Sequence, residues 1–299
     1  MTKLKIIAGA TASGKTSAAV QLAQKIDGEV VSADSMQVYR HMNIGTAKPT
    51  KAEMGGIPHH LLDVVDPSEP FSVAEYQTLA VAAIKDIQAR GKTAILAGGT
   101  GFYINAVLNG VDFSTVVHEN EFALRKHFTE VAKEKGAEYL HSLLAEKDPV
   151  HAAIIHANNV KRVARALAYC ESTGKLFSEY NARQKTRQPL FHADFYVISM
   201  PRETLYSRIN ARTLAMFEGG LEGEVRGLLK QGYHEALAPM QGIGYKEVIK
   251  FLKNEYTKDE TISAIQQSTR NYAKRQETWF RHQAPTARLI YKEDVLWQQ

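Results

Sequence analysis

Nine residues near the start of the chain, GATASGKTS at positions 9–17, match the pattern G-x-x-x-x-G-K-[ST] of a phosphate-binding loop. An apolar run, Leu4–Ala10, precedes the loop, and apolar residues at helical spacing follow it. This strand–loop–helix order is the context in which the pattern binds phosphate. We therefore expect the backbone N–H groups at 12–16 and the Lys15 ammonium to contact phosphate oxygens, and the Thr16 hydroxyl to bind Mg²⁺.

The loop alone does not distinguish a kinase, an ATPase and a transferase that releases pyrophosphate. The pattern around it does predict the fold class, because strands that alternate with helices imply a parallel sheet with helices on both faces. One helix begins with Ser72 as its N-cap and Glu75 three positions later, a capping box. The other predicted elements are strands at 28–34, at 59–65 and from Lys92 onward, and a helix at 101–110.

The pattern changes between residues 113 and 191, where amphipathic helices are predicted and strands are not. The helices are predicted at 119–136, 137–147, 157–174 and near Phe177, with loops at DPVHA and RQKTRQPL. Beyond this segment the sequence predicts a strand at 193–200, helices to about Gln283 and a short strand at 287–291. We therefore predict two domains: a P-loop α/β core formed by 1–112 and 192–299, and an inserted all-helical domain, 113–191.

The composition narrows the class of protein. Of the 299 residues, 44% are hydrophobic and 23% are charged, as in ordinary globular proteins. A single cysteine, Cys170, excludes an intrachain disulfide and a cysteine-based zinc site. The sequence has no apolar run of about 18 residues and no signal-peptide pattern, so we expect a cytoplasmic protein that does not enter membranes. The net charge of +5 and the pI near 9.0 are compatible with a polyanionic partner.

Asp34 follows a predicted strand, at the edge where an open parallel sheet binds ligands. Its carboxylate could bind Mg²⁺, act as a general base or cap the next helix, and its position leaves these roles open. The strand that starts near Lys92 ends in GGTG at 98–101, where many P-loop NTPases have an aspartate. Glycines allow another backbone or a large ligand to come close, which disfavours a motor-type ATPase and predicts a bulky ligand here.

Basic side chains form several groups. Arg208 and Arg212 lie one helical turn apart, so that one of them could neutralise a leaving pyrophosphate, or both could form a solvated face. The pair His59–His60 has no metal-binding spacing and is interpreted as structural. Three further clusters fit contact with a nucleic-acid backbone or, alternatively, a solvated face: Lys161, Arg162 and Arg165; Arg183, Lys185 and Arg187; and Arg270, Lys274 and Arg281.

Seven motifs occur in an order that is specific to one family. They are GATASGKTS, SADSMQVYRHMNIGTAKP, HHLLDVVDPSEPFSVAEYQ, AGGTGFYINAVLNG, VKRVARALAYCESTGK, QGIGYKE and TRNYAKRQETWFR. From about residue 4 to residue 291 the chain strongly resembles the bacterial tRNA dimethylallyltransferases, the isopentenyltransferases that act on tRNA adenosine. Departures from the family pattern are small: Ala10 stands where proline is usual, Gly242 where alanine is common, and the residues after Arg212 leave the choice between Arg208 and Arg212 open.

The resemblance implies a reaction. A dimethylallyl group passes from dimethylallyl diphosphate to N6 of adenosine 37, beside the anticodon, in tRNAs that read codons beginning with U. Mg²⁺ assists, the helical insertion grips the anticodon stem-loop, and a monomer is expected. Two rival functions are a P-loop small-molecule kinase and a non-catalytic RNA-binding module.

The resemblance also implies roles for individual residues. Asp34 matches the general base, and Thr100 and Arg212 match positions near the reaction centre. The diphosphate would be bound by Gly9, Thr11, Ala12, Ser13, Gly14, Lys15 and Thr16, with Mg²⁺ on Thr16. The tRNA contacts would come from Asp34, Ser35, Met36 and Gln37, from Asn158, Asn159, Val160, Lys161 and Arg162, and from Gln241, Gly242, Ile243, Gly244, Tyr245 and Lys246.

Overall fold

The computed structural model describes residues 3–113, 120–284 and 286–291. The chain divides into two compact units. One unit comprises Met1–Leu108 together with Leu190–Gln299, and the other comprises Asn109–Pro189. Each unit has its own core of buried apolar side chains.

The first unit contains the strands β1 (Leu4–Gly9), β2 (Gly28–Ser32), β3 (His59–His60), β4 (Thr93–Gly98), β5 (Ala193–Ser199) and β6 (Arg288–Tyr291). They form one parallel sheet in the order β3-β2-β4-β1-β5-β6. The strand β1 lies inside the sheet, where Ile6 is paired with Leu96 of β4 and with Phe195 of β5. The carboxyl ends of β1, β4 and β2 therefore meet at one edge of the sheet.

Helices connect the strands and build the second unit. In chain order they are α1 (Lys15–Ile26), α2 (Lys51–Met54), α3 (Val73–Ala89), α4 (Gly101–Asn109), α5 (Glu121–Lys135), α6 (Ala137–Lys147), α7 (Pro149–Ala152), α8 (Val160–Thr173), α9 (Phe177–Lys185), α10 (Arg202–Glu218), α11 (Leu221–Lys230), α12 (Tyr245–Leu252) and α13 (Lys258–Gln283). A short 3₁₀ helix, Pro239–Gln241, precedes α12.

Helices cover both faces of the sheet. Neighbouring residues of a strand point to opposite faces, so Ile6 packs with Ile84 of α3, whereas Ile7 packs with Leu22 of α1. The predicted cap of α3 is confirmed, because Ser72 Oγ accepts the N–H of Glu75 at 3.2 Å and Glu75 accepts the N–H of Ser72 at 2.7 Å. The predicted P-loop α/β fold class is confirmed.

The predicted strand at 59–65 is wrong beyond His60. Leu61 and Asp63 have φ values of 64° and 56°, which lie in the left-handed region and interrupt an extended strand. Val65 then forms an isolated bridge with Tyr39.

The second unit consists of helices and turns in its described residues. Its core joins Phe128 of α5, Leu140 and Leu144 of α6, and Val163 and Leu167 of α8. The prediction of a loop at DPVHA is wrong, because Asp148 caps the short helix α7 by accepting the N–H of His151 at 3.0 Å. None of the helices in the described residues combines the length and the hydrophobicity that a membrane-spanning helix needs.

Candidate active site

The predicted phosphate-binding residues form the loop between β1 and α1. Gly9, Ala12 and Gly14 have positive φ values of 154°, 64° and 95°, which turn the chain from the strand into the helix. Gly9 cannot be replaced without a shift, since a Cβ atom there would lie 2.9 Å from Ser13 Oγ and 3.0 Å from the carbonyl oxygen of Ile198. The loop ends at the amino terminus of α1, where unpaired N–H groups and the helix dipole favour an anion.

Two side chains of the loop favour an anionic ligand. Lys15 Nζ donates a hydrogen bond to the carbonyl oxygen of Ala10 at 2.8 Å. Burial lowers the pKa of Lys15 to about 8, an effect that Asp34 opposes and Arg212 reinforces. Ser13 is buried, and its hydroxyl has no hydrogen-bond partner among the described residues. A bound oxyanion would stabilise the charged form of Lys15 and accept a hydrogen bond from the hydroxyl of Ser13.

Asp34 and Thr100 lie side by side where the neighbouring strands β2 and β4 end. Thr100 Oγ1 accepts the N–H of Ser35 at 3.1 Å. Asp34 Oδ1 accepts the N–H groups of Met36 and Gln37 at 2.9 and 3.4 Å, so that the carboxylate caps the following turn. Within the described residues the second oxygen, Oδ2, has no hydrogen-bond partner. The capping role therefore leaves one carboxylate oxygen for a ligand.

The structure distinguishes Arg212 from Arg208. Arg212 Nη1 makes a long hydrogen bond of 3.5 Å to the hydroxyl of Thr11 in the phosphate-binding loop. Arg208 Nη1 instead lies 4.0 Å from the sulfur of Met200. Burial and then Arg208 lower the pKa of Arg212, whereas the charges of Glu53 and Asp34 raise it. Arg212 is therefore the arginine that faces the predicted diphosphate site.

Gln276 of α13 joins the two halves of the site and was not predicted. Its side-chain oxygen accepts the N–H of Thr11 at 2.8 Å, and its side-chain nitrogen donates to the carbonyl oxygen of Gly99 at 2.9 Å. Burial raises the pKa of Tyr272, one turn earlier, to about 12, an effect that the neighbouring side chains of Thr100 and Gln276 oppose. The motif TRNYAKRQETWFR contains both residues, but its basic side chains predict contact with a nucleic acid and give no signal for the roles of Tyr272 and Gln276.

The sequence predicted that the glycines of the GGTG turn make room for a bulky ligand. In the structure, atoms of the protein itself occupy this space. A Cβ atom on Gly98 would lie 2.1 Å from the carbonyl oxygen of Ala33, and one on Gly99 would lie 2.2 Å from Gln276 Nε2. A Cβ atom on Gly101 would lie 2.1 Å from the ring of Trp279. The close approach is therefore that of the protein's own backbone and of α13.

Two of the three predicted tRNA-contacting segments lie together. Gly242 packs against Met36, because a Cβ atom on Gly242 would lie 2.6 Å from Met36 Cε. Gln241 is exposed and Lys246 is partly exposed. The side chain of Tyr245 is fully buried, so a contact of this residue with tRNA would have to come from its backbone.

The third segment, 158–162, lies in the helical unit at the start of α8. Lys161 and Arg162 are exposed there, as contact with a phosphate backbone requires. Arg165 departs from the predicted basic cluster: its guanidinium lies over the ring of Phe177 at 5.7 Å, and burial lowers its pKa. Arg270 also departs, because it donates to Asn210 Oδ1 at 2.8 Å.

The fold and the site together define a class of protein. A P-loop, a carboxylate and an arginine meet at the carboxyl edge of a parallel sheet, as in P-loop proteins that bind phosphorylated ligands. A family model described as IPP transferase matches residues 37–283. The chain therefore belongs to the IPP transferase family.

Individual relatives agree with this family. The chain is similar to a tRNA dimethylallyltransferase of Lachnoclostridium phytofermentans, with 43% identity over 99% of this chain and 91% of the relative. A tRNA dimethylallyltransferase of Acetivibrio thermocellus is 46% identical over 94% of this chain and 89% of its own length.

Solved structures agree as well. The tRNA isopentenylpyrophosphate transferase of Bacillus halodurans has a TM-score of 0.71 and 41% identity, covering 97% of this chain and 89% of its own. A eukaryotic dimethylallyltransferase acting on tRNA has a TM-score of 0.81 and 29% identity, with coverage of 97% and 74%. These comparisons confirm the predicted family and the predicted enzyme class, a prenyltransferase, and they do not favour a kinase or a non-catalytic RNA-binding module.

Proposed function

We propose that this protein transfers the dimethylallyl group of dimethylallyl diphosphate to N6 of adenosine 37 in tRNAs that read codons beginning with U. The bond between the allylic carbon and the diphosphate oxygen breaks, a bond from that carbon to N6 forms, and pyrophosphate leaves. One observation carries the proposal. The phosphate-binding loop and the turns that bear Asp34 and Thr100 open on the same edge of the sheet; Gln276 joins the loop to the turn of Thr100, and Thr100 bonds to the turn of Asp34 through Ser35.

The donor half of the reaction depends on the leaving group. The exocyclic amine of adenine is a weak nucleophile, because its lone pair is delocalised into the ring, so the carbon–oxygen bond must be well advanced in breaking when N6 attacks. Negative charge then accumulates on the departing pyrophosphate. Lys15, Arg212 and the N–H groups at the start of α1 are arranged to stabilise that charge. Removing one such group typically costs about 10²–10³-fold in turnover.

Mg²⁺ is proposed as the metal, bound by the hydroxyl of Thr16 and by oxygens of the diphosphate. Thr16 is exposed in the first turn of α1, and Mg²⁺ favours a site with few protein ligands and several phosphate oxygens. No cluster of three metal-ligating histidine, cysteine or carboxylate side chains exists among the described residues, which fits a metal held largely by the substrate. When bound, Mg²⁺ would withdraw charge from the leaving diphosphate.

The acceptor half depends on Asp34. Its Oδ1 is engaged by the turn, and its Oδ2 is available to accept a hydrogen bond from the N6 amine. As the carbon–nitrogen bond forms, Asp34 takes the proton that N6 loses. The adenine must leave the anticodon loop stack to reach this carboxylate, at a cost of a few kcal/mol that is least for an unpaired base.

The tRNA would be held by both units. In the first unit Asp34–Gln37 and Gln241–Lys246 would contact the anticodon loop. In the helical unit the exposed Lys161 and Arg162 would contact the phosphate backbone of the anticodon stem-loop.

We expect Lys161→Ala combined with Arg162→Ala to weaken tRNA binding. The slope of the logarithm of the binding constant against the logarithm of the salt concentration should become shallower by about one for each lost phosphate contact. An unchanged salt slope would mean that these side chains are a solvated face. We also propose that the enzyme acts as a monomer in the cytoplasm.

A labelling experiment tests the proposal against the kinase alternative. Purified protein is incubated with an unmodified tRNA transcript and either dimethylallyl diphosphate labelled in its carbon chain or ATP labelled in its γ-phosphate. We expect carbon label on the tRNA and no transfer of phosphate label to tRNA or to small acceptors. Phosphate transfer without prenyl transfer would overturn the proposal.

A further inference from the structure

The segment MNIGTAKP, at 42–49, belongs to the family motif SADSMQVYRHMNIGTAKP but contains none of the residues that act on either substrate in the proposed reaction. Three consecutive N–H groups of this segment converge on one carboxylate, that of Glu224 in α11. Asn43 and Ile44 donate to Glu224 Oε2 at 2.8 and 2.7 Å, and Gly45 donates to Oε1 at 3.0 Å. Successive N–H groups that point to one place form an anion-binding concavity, and here the protein fills it with its own side chain.

The same carboxylate also binds α12. The hydroxyl of Tyr245 donates to Glu224 Oε1 at 2.7 Å, and Tyr245 is fully buried. Burial, followed by the charge of Glu224, raises the pKa of Tyr245, so that the hydroxyl stays a donor. The ring lies directly against Gly45, where a Cβ atom would be 2.6 Å away. Tyr245 belongs to the segment 241–246, and Glu224 therefore fixes that segment against the loop at 43–47.

The loop in turn holds the turn that carries the proposed base. The side-chain nitrogen of Gln37 donates to the carbonyl oxygens of Thr46 and Ala47 at 3.2 and 3.1 Å. The backbone N–H of Gln37 donates to Asp34 Oδ1 at 3.4 Å. A continuous set of hydrogen bonds thus runs from Glu224, through the loop and Gln37, to Asp34.

We propose that Glu224 is a positioning residue for tRNA: it touches no substrate, and it fixes the two segments of the first unit, 34–37 and 241–246, that would contact the anticodon loop. This inference rests on the proposed function. The phosphate-binding loop is held by different contacts, those of Gln276 and Arg212 with Thr11. Loss of Glu224 should therefore impair use of tRNA and spare the binding of the diphosphate donor.

The test is Glu224→Gln in the full chain, with KM measured for both substrates. Glutamine keeps one acceptor oxygen but presents an NH₂ group to N–H donors, so part of the loop loses its partner. These donors are exposed or half-buried, and the loss of one such hydrogen bond changes an equilibrium constant by roughly threefold to tenfold. We expect KM for an unmodified tRNA transcript to rise by about that factor, and KM for dimethylallyl diphosphate to stay unchanged. Glu222→Gln is the matched control, because Glu222 lies on the same helix and, among the residues that the structure describes, pairs only with Arg226 at the surface.

A second variant protects the test against a folding defect. Tyr245→Phe removes one of the four hydrogen bonds to Glu224 and keeps the ring against Gly45. We expect a smaller rise in KM for tRNA, again with no change for the donor. A general loss of stability would instead lower the melting temperature and impair both substrates equally. An unchanged KM for tRNA in folded Glu224→Gln and Tyr245→Phe, or an equal rise for both substrates, would overturn the positioning role while wild-type prenyl transfer stands. A wild type that transfers no prenyl group would overturn the proposed function, and the inference with it.

Discussion

The two ends of the strand β2 carry carboxylates in opposite situations. Glu29, near the start of the strand, is buried. Its carboxylate accepts hydrogen bonds from two nitrogens of Arg90 at 2.6 and 2.8 Å and is hydrogen-bonded to His60 Nε2 at 2.8 Å. Lys92 Nζ adds an ion pair at 3.4 Å. Asp34, just past the other end, has one oxygen engaged by two backbone N–H groups and one oxygen without a partner among the described residues.

The difference shows what each edge of the sheet is built for. Around Glu29 the charges are mutually satisfied, and hydrogen bonds from Arg90 lower the pKa of Glu29 to about 2. At the carboxyl edge the charged groups face one another without direct ion pairs in the described residues: Lys15 bonds to a carbonyl oxygen, and Arg212 bonds to a hydroxyl. A saturated cluster stabilises the fold, whereas groups that lack charged partners can respond to a substrate.

The largest effect should come from Asp34→Asn. Asparagine keeps the oxygen that caps the turn at Met36 and Gln37, but it cannot take a proton from N6. We expect kcat for prenyl transfer to fall by about 10²–10⁴-fold, while tRNA binding, measured by filter retention, changes little. An equal loss of binding and turnover would contradict the role of Asp34 as a base. Glu29→Gln serves as the control at the opposite end of β2 and should leave kcat of the folded protein unchanged.

Arg212→Ala should have the next largest effect. Removal of a group that stabilises charge on the leaving pyrophosphate should lower kcat by about 10²–10³-fold. Arg208→Ala is the matched control, because Arg208 lies one turn earlier on α10 and contacts Met200 rather than the phosphate-binding loop. Steady-state kinetics of the two variants compare the arginines directly. Equal losses in both would contradict the separation that the structure makes between them.

Glu29 should govern the acid stability of the protein. Its pKa of about 2 in the folded state lies below the ordinary value of 4.5, so its contribution is complete above about pH 4.5 and is lost as the pH falls toward 2. A shift of this size corresponds to about 3 kcal/mol in the free energy of unfolding. Urea unfolding of wild type and Glu29→Gln between pH 7 and pH 3 measures it. We expect the variant to be less stable at neutral pH and to depend less on pH in the acid range; parallel curves would contradict this assignment.

Lys15 should produce the smallest of these effects. Because burial lowers its pKa to about 8, the free enzyme loses this positive charge as the pH rises through 8, whereas a bound diphosphate favours the charged form. The dissociation constant for pyrophosphate should therefore increase above pH 8, by at most about tenfold per pH unit. Calorimetric titration from pH 7 to pH 9.5 measures the change. Lys15→Arg should remove the pH dependence, and a wild-type affinity that stays constant to pH 9.5 would contradict it.

Local features of the site could be predicted from the sequence. The glycines and Lys15 of the phosphate-binding loop, the position of Asp34 after β2 and the cap at Ser72 depend on residues that are close in the chain. The error at Leu61 and Asp63 has the same origin, because an apolar run predicts a strand and does not reveal two residues in the left-handed region.

The contacts that organise the site could not be predicted, because they join residues far apart in the chain. Gln276 meets the N–H of a residue 265 positions earlier, and Glu224 meets three N–H groups about 180 positions earlier. The residues next to Gln276 and Glu224 in the sequence give no indication of these contacts. The choice between Arg208 and Arg212 likewise required knowing which of them faces Thr11.

One measurement tests the function of the carboxyl edge most directly. Wild type and Asp34→Asn are each incubated with Mg²⁺, dimethylallyl diphosphate and an unmodified tRNA transcript that reads a codon beginning with U. The nucleosides are then separated and weighed by mass spectrometry. We predict that the wild type adds one dimethylallyl group to the adenosine beside the anticodon and that the variant adds almost none in the same time. A wild type that leaves this adenosine unchanged, or a variant that modifies it at the wild-type rate, would contradict the account.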